Sequence, residues 1–273
     1  MLPIQSYFKK YGKEVNQALD RYLIKASTYP KRTHEAIRYA VFSGGKRIRP
    51  ILTITFSEAV GRKSQQAMLT ACAIECIHAY SLVHDDLPCM DDDNHRRGKL
   101  TVHKKFDEAT AVLTGDALLT FAFELVSRIK PASLSVRVAQ IVTQAAGTLG
   151  MIGGQAVDKE YESKKMTLPV MDYINIHKTG KLIAASCLAG AVVGGASKRE
   201  ERIALQYGEH LGMVFQLIDD VIDNDGYVTF GGKQECLHRA EELTENAKKL
   251  VAKLPKKQQV LFEIADFVLE RRK

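Results

Sequence analysis

Two stretches of this chain place several aspartates on sequence that otherwise reads as apolar helix, and any fold it adopts must accommodate them. The first runs His84-Asp85-Asp86-Leu87-Pro88-Cys89-Met90-Asp91-Asp92-Asp93. The second runs Phe215-Gln216-Leu217-Ile218-Asp219-Asp220-Val221-Ile222-Asp223. Clustered carboxylates repel one another and resist burial, so they are costly unless cations neutralise them. Oxygen donors at this density suit Mg²⁺, which takes few protein ligands and completes its shell with water and substrate phosphates. Two acidic walls facing each other would make a metal-bridged diphosphate site. A solvated helix end explains either cluster alone, but not both together with the basic motifs described below.

In the second cluster, Asp219 and Asp223 are four residues apart and share one helix face. Asp220 is rotated by about 100° and need not face the same ion. Asp85 and Asp91 are six apart, a poor match to one helix. Pro88 lies between them and cannot donate to the carbonyl four residues back. The helix is expected to bend or end there, letting Asp91 swing towards Asp85.

The rest of the chain supplies a frame for these walls. Apolar residues recur at i, i+3, i+4 and i+7 over 4–27, 32–43, 65–87, 107–127, 133–150, 170–193, 199–224, 234–252 and 256–271. Pro30, Pro50, Pro131 and Pro255 fall between these segments, and no stretch alternates strongly enough to read as a strand. The expectation is an all-α fold, a single-domain bundle of roughly ten helices around a central cavity, spanning residues 1–273.

With 45% apolar and 26% charged residues, the composition is that of an ordinary soluble globular protein. Net charge is +7 despite the aspartate clusters, so basic residues are in excess elsewhere. No aromatic-interleaved basic stripe or zinc-finger spacing is present, and no nucleic-acid partner is expected. The small-residue run Leu182–Gly195 is too short and glycine-rich for a membrane span, so no stable membrane insertion is expected either. Met1-Leu2-Pro3-Ile4-Gln5 lacks the pattern of a signal peptide. Cys72, Cys76, Cys89, Cys187 and Cys236 form no Cys-x-x-Cys pair, and four of them sit in apolar helical surroundings. Buried reduced thiols in a cytoplasmic protein are expected.

Three basic motifs complement the acidic ones. In Gly44-Gly45-Lys46-Arg47-Ile48-Arg49-Pro50, two glycines let the backbone turn towards a ligand. Lys46, Arg47 and Arg49 then offer charge-assisted hydrogen bonds to phosphate, without the spacing of a Walker loop. Arg96-Arg97-Gly98-Lys99 follows the first aspartate cluster and can reach two anions, or one anion and the acidic wall. In His177-Lys178-Thr179-Gly180, Lys178 is a candidate diphosphate ligand, and Thr179 can bend its helix or donate a hydroxyl. His78 suits a core position as well as a ligand site. Gln155 and Asp158, in Gly153-Gly154-Gln155-Ala156-Val157-Asp158, are expected to line a cavity.

In this order, the two aspartate motifs, Gly-Gly-Lys-Arg-x-Arg-Pro, Arg-Arg-Gly, Lys-Thr-Gly and Phe-Gln-x-x-Asp-Asp-x-x-Asp resemble those of the trans-isoprenyl diphosphate synthases. The match runs from about residue 35 to the C-terminus. Asp85-Asp86-x4-Asp91, with two extra residues inside the motif, is similar to bacterial farnesyl diphosphate synthases (geranyltranstransferases) and type II geranylgeranyl diphosphate synthases. The resemblance implies the isoprenoid synthase fold, a homodimer, and about three Mg²⁺ ions, with Mn²⁺ able to substitute. It assigns the ions to Asp85, Asp91 and Asp219, with Asp86 and Asp223 in support and Asp220 completing the catalytic motif. Arg96, Lys178 and Gln216, with Thr179 nearby, would hold an allylic diphosphate. Lys46, Arg49, His78 and Arg97 would hold isopentenyl diphosphate.

The implied reaction is head-to-tail condensation with dimethylallyl or geranyl diphosphate, giving farnesyl diphosphate and pyrophosphate. Ionisation is followed by attack of the isopentenyl double bond and loss of a proton. No side-chain base is evident, and the released pyrophosphate is the implied acceptor. Tyr80 and Ser81, about one turn before Asp85, would form the floor under the growing chain, with Tyr80 roughly 7–8 Å deeper along the helix axis. A bulky ring there stops growth near fifteen carbons, while small Ser81 leaves twenty open.

One segment departs from the family. Members usually carry a longer flexible loop with two lysines after the second motif. Here Asp223 is followed by Asn224-Asp225-Gly226-Tyr227-Val228-Thr229. Aligning Tyr227 with the family tyrosine puts Asn224 where a lysine is expected, and the loop reads as deleted. Lys233 is placed for a surface role more than for replacing it. Loss of such a lid bears on closure and water exclusion. Two other readings stay open: a class I terpene cyclase, against which the second cationic motif argues, and a non-catalytic synthase-like regulatory subunit, which the short loop favours and the intact aspartates oppose.

Overall fold

The chain winds almost entirely into helices, as its 3.6-residue apolar periodicity demands. The computed structural model describes residues 3–61 and 65–271, and the statements below concern those residues. In chain order, α1 spans Ile4–Tyr22, α2 Lys31–Phe42, α3 Ile48–Val60 and α4 Gln65–Asp85. A two-residue hairpin, β1 (His95–Arg96) antiparallel to β2 (Lys99–Leu100), and the single turn α5 (Val102–Lys105) lead into α6 (Glu108–Ser127) and α7 (Ala132–Ala146). Then come α8 (Met151–Tyr161), α9 (Leu168–Ile174), a π-helical turn (Asn175–Gly180) and α10 (Lys181–Gly194). The helices α11 (Lys198–Asp223), α12 (Val228–Val251) and α13 (Gln258–Leu269) complete the bundle.

Helices α3, α4 and α10 form its centre. They are apolar nearly all round, the pattern of helices enclosed by others. Small residues let α10 touch α3 and α11 closely: a Cβ on Gly190 would lie 2.2 Å from Thr53 O of α3, and one on Gly208 of α11 would lie 2.5 Å from Ala184 Cα. Amphipathic helices close the outside, and their ends follow local capping rules. Asp107 accepts from Thr110 N at the start of α6, and Ser197 with Glu200 makes a capping box on α11.

Several boundaries correct the sequence reading. Segment 48–60 is helix α3, although its polar residues Thr53, Thr55, Ser57 and Glu58 are buried with the apolar ones and leave no helical stripe to detect. Pro50 therefore lies inside a helix and not between helices; it occupies the first turn, where its missing N–H has no intrahelical partner. The segment expected at 133–150 ends at Ala146, and the turn 147–150 opens the separate helix α8. The helix expected over 170–193 is broken by the π-helical turn. The segment expected from 234 begins earlier, at Val228, and kinks at Gly232, whose φ is 80°. The hairpin β1–β2 is extended structure too short to alternate.

Cys72, Cys76, Cys187 and Cys236 are buried free thiols, and Cys89 is exposed. Two helices, α4 and α6, are long and apolar enough to cross a membrane by length and composition; most of α4 is enclosed within the bundle.

Candidate active site

The end of α4 builds the first acidic wall. The helix stops at Asp85, and the chain turns through Pro88 until Asp91 N donates to Asp85 O at 2.8 Å, which brings the two residues together. Burial pushes the Asp85 carboxyl up to about 6; Lys178 opposes this and Asp91 adds to it. Asp91 pairs with Lys159 of α8 at 3.1 Å. Asp86 points elsewhere and is buried against Arg96, whose Nε donates to Oδ1 at 2.6 Å. Arg96 also reaches Asp93. In this state it holds the acidic wall together.

The second wall is the last turn of α11. Burial raises the pKa of Asp219, Arg271 opposes that rise, and Asp223 adds to it. Arg271 is ion-paired with Asp219. Asp220 is turned inward: it accepts from Gln216 Nε2 and from Tyr227 N, each at 2.8 Å. Its carboxylate folds the short turn 224–227, consistent with its rotation away from Asp219 and Asp223.

The π-helical turn lies between the walls. A wide turn displaces the residues it carries, and such turns concentrate at functional sites. Here it carries Lys178, which pairs with Asp158 of α8 at 2.6 Å and whose charge reaches Asp85. Thr179 Oγ1 donates to Gln216 Oε1 on α11 at 3.4 Å. One turn of backbone therefore bonds to the second motif through Thr179 and acts on the first through the charge of Lys178.

Below it opens a cavity of about 720 Å³, lined by Arg49, His78, Tyr80, Ser81, Asp85, Leu119, Gln155, Lys178 and Thr179 among others. Both side-chain polar atoms of Gln155 are buried without a protein partner, as is the Tyr80 hydroxyl. Ser81 Oγ donates to His78 O, which satisfies it locally.

A cationic cluster closes one side. Burial lowers the Arg49 pKa to about 10, with Glu75 opposing, and its buried Nε has no protein partner. Burial, then Arg49 and Arg97, hold the His78 imidazole well below its usual range. Arg97 donates to Gly44 O. Gly44 and Gly45 have φ of 115° and 123°, and a Cβ on Gly45 would lie 2.5 Å from Arg97 Nη1. Glycine is thus favoured at both positions for conformation, and at Gly45 for space as well. Arg47 belongs to the frame: it is buried, paired with Glu75 at 2.6 Å. The structure does not bring Lys46 to the cavity wall. It lies over the Phe267 ring and lines a separate groove of about 760 Å³ between α1 and α13.

Sequence reasoning missed Lys159, Glu75 and Arg271. Glu75 carried a signal, as a lone acid inside an apolar helical segment. Lys233 is exposed.

These features can be set beside known proteins. Residues 30–244 match the family of polyprenyl synthetases. The chain is 44% identical over 229 residues to a farnesyl diphosphate synthase of Geobacillus stearothermophilus, covering 82% of this chain and 77% of that one. It is 40% identical over 265 residues to a geranylgeranyl diphosphate synthase of Cyanophora paradoxa, covering 89% and 88%. An apo crystal structure of an FPP/GFPP synthase from Zymomonas mobilis superimposes with a TM-score of 0.91 at 34% identity, covering 97% and 98%. The chain belongs to the polyprenyl synthetase family. It has the isoprenoid synthase fold and is a prenyltransferase that extends prenyl chains.

Proposed function

We propose that this enzyme condenses isopentenyl diphosphate with dimethylallyl and then geranyl diphosphate in a Mg²⁺-dependent reaction, giving farnesyl diphosphate. One observation carries the reading: two separate places that call for anions or cations open on one apolar cavity. On one side are Asp85, whose backbone carbonyl accepts from Asp91 N, and Lys178. On the other is Arg49, whose Nε has no protein partner, in a cluster where Arg47, Arg49 and Arg97 share the charge of Glu75.

The donor set fits Mg²⁺. All the candidate ligands are carboxylate oxygens, and crowding and burial raise the pKa of Asp85 and Asp219. Among the described residues no group of three or more His, Cys, Asp or Glu side chains is placed to hold a metal unaided. That suits ions which arrive with, and are completed by, a diphosphate. Asp85, Asp91 and Asp219 would hold them, with Asp86 and Asp223 in support. When bound, the ions supply Lewis-acid stabilisation of the leaving diphosphate.

The remaining work belongs to the chain. Lys178, Arg96 and Gln216 bind the allylic diphosphate, with Thr179 bonded to Gln216 beside them. Arg49, His78 and Arg97 orient isopentenyl diphosphate for attack. The neutral imidazole of His78 hydrogen-bonds without adding charge. The apolar wall excludes water from the cation. The Tyr80 ring, buried in that wall, stops elongation at fifteen carbons. Pairing of two copies through α6, whose Val112 and Leu113 are exposed, and a cytoplasmic location suited to the free thiols belong to the same proposal.

Small Ser81 beside Tyr80 favours a second reading, a twenty-carbon product. Incubation with Mg²⁺, isopentenyl diphosphate and each allylic primer, with products read by mass spectrometry, separates them. A fifteen-carbon endpoint is expected, and Tyr80→Ala should extend it by at least one five-carbon unit. A twenty-carbon endpoint in the natural protein removes Tyr80 as the stop. Absence of condensation by folded protein overturns the enzymatic reading and favours a regulatory subunit, while products formed without isopentenyl diphosphate mean cyclase chemistry.

A further inference from the structure

The residues joining α11 to α12, Asn224-Asp225-Gly226-Tyr227, include no lysine or arginine. No cation can close over Asp219 from that turn. One arrives from the other end of the chain. Arg271, just beyond α13, is ion-paired with Asp219, and its guanidinium lies 4.1 Å from the centre of the Phe215 ring. One turn earlier, the Phe267 ring lies under Lys46, 5.5 Å from Nζ. The end of α13 therefore touches both the Gly-Gly-Lys motif and the second acidic motif. Lys46 registers both neighbours: after burial, Arg271 lowers its pKa and Asp219 opposes that.

A carboxylate cannot serve a guanidinium and a metal ion equally well. When a metal-bound diphosphate reaches Asp219, the arginine loses its partner at a place where phosphate oxygens have just arrived. A guanidinium presents donors in a rigid fork that matches phosphate, and an aromatic face can carry it while it turns. We propose that Arg271 is a substrate-binding residue which occupies Asp219 in the free enzyme and transfers to the metal-bound diphosphate on closure. It thereby supplies the cation that the turn 224–227 lacks. The identity of that diphosphate rests on the reaction proposed above; the exchange of partners at Asp219 does not.

The test uses the full chain, with Arg271→Gln and Arg271→Lys as variants. Mn²⁺ binding is followed by electron paramagnetic resonance, with and without inorganic pyrophosphate, beside steady-state turnover. Removing the competing cation should tighten binding of Mn²⁺ alone in the Gln variant by about threefold, the scale of a partly exposed ion pair. Pyrophosphate binding in the presence of Mn²⁺ should weaken by about tenfold or more, the scale of a charge-assisted hydrogen bond. Turnover should fall with it.

The Lys variant keeps the ion pair. It should bind Mn²⁺ as the natural protein does, bind pyrophosphate less well, and serve for the comparison if the Gln variant fails to fold. Unchanged pyrophosphate binding in the folded variants overturns the proposal, as does unchanged or weaker Mn²⁺ binding in the Gln variant. If the expected binding changes occur in a protein that condenses nothing, the exchange stands and the reaction falls. If turnover is normal and binding insensitive to residue 271, the reaction stands and the exchange falls.

Discussion

Glu75 sits in the middle of α4 and carries the charge on which three arginines depend. Arg47 pairs with it at 2.6 Å, with the two side chains only 4% and 5% exposed. Arg49 and Arg97 are held nearer their ordinary protonated state by the same carboxylate. Glu75→Gln keeps the shape and one acceptor but removes the charge. Breaking a buried pair on one side costs about 3–5 kcal/mol. Arg47 retains its bonds to Val41 O and Asn16 Oδ1, so the lower end applies, about 3 kcal/mol.

For a chain of this length each kcal/mol moves the melting temperature by about 2 °C, so a fall of about 6 °C is expected. The ligand should act in the opposite sense. With Glu75 neutral, the arginine cluster has a larger uncompensated positive charge, and a diphosphate becomes its best counter-ion. Pyrophosphate should bind the variant about tenfold more tightly, worth about 1.4 kcal/mol, and raise its melting temperature by more than that of the natural protein. Calorimetric melting at several pyrophosphate concentrations reads both numbers. A variant that loses stability but gains no extra protection from pyrophosphate would refute the idea that Glu75 balances the charge of a diphosphate site.

Two further predictions concern the same cluster. Gly45→Ala places a methyl group 2.5 Å from Arg97 Nη1 at a φ of 123°; the KM for isopentenyl diphosphate should rise about tenfold, consistent with about 1–3 kcal/mol of strain or a displaced arginine, while the KM for the allylic substrate stays put. Equal rises in both would mean general distortion. His78 has its folded pKa held well below the usual value, so the unfolded chain binds the extra proton first. Its contribution to stability is present above about 6.5 and is lost as pH falls from there towards the depressed folded value, at up to about 1.4 kcal/mol per pH unit. Urea unfolding at pH 7, 6 and 5 should show a shallower acid loss for His78→Asn; parallel slopes would contradict the placement of a neutral imidazole beside Arg49.

Much of the bundle could be read from its amphipathic stripes, because an outer helix must place a core-facing residue every three or four positions. The same logic explains the failures. Helix α3 is enclosed on all sides, so Thr53, Thr55, Ser57 and Glu58 are buried among its apolar residues and mark no outer face, and Pro50 looked like a boundary. The turn at Gly147–Gly150 interrupts a run whose apolar spacing continues on either side. The acidic motifs stood out because charge on apolar helix is anomalous wherever it occurs, and the bend at Pro88 followed from the missing N–H. Gln155 and Asp158 were expected at a cavity; the orphaned amide of Gln155 lies there, whereas Asp158 pairs with Lys178 and is not part of the cavity wall. Partners distant in sequence left no comparable trace. Arg271 sits in a terminal Glu-Arg-Arg-Lys string that reads as a solvated tail, and nothing local links it to a residue on α11. Lys159 looks like a surface lysine of α8 until the fold brings it to Asp91. Lys46 and Arg47 are adjacent and equally basic, and packing sends one to an exposed groove and the other into the core.

The glycines that let these helices touch have a consequence for how the enzyme can change. Gly154 meets the backbone of Lys178, and Gly212 meets Gly180, so the π-helical turn is gripped from both sides with no side chain between. Gly190 and Gly194 set α10 against Thr53 and Ser57 in the same way. Helices in such contact cannot slide or spread by small steps, since there are no rotamers to absorb the movement. Product size in descendants of this chain would therefore drift by exchanging wall side chains such as Tyr80, Ser81 and Leu119 within an unaltered scaffold. The glycines themselves would remain silent to selection for a longer or shorter product, purged by loss of the fold before their effect on chain length could be expressed.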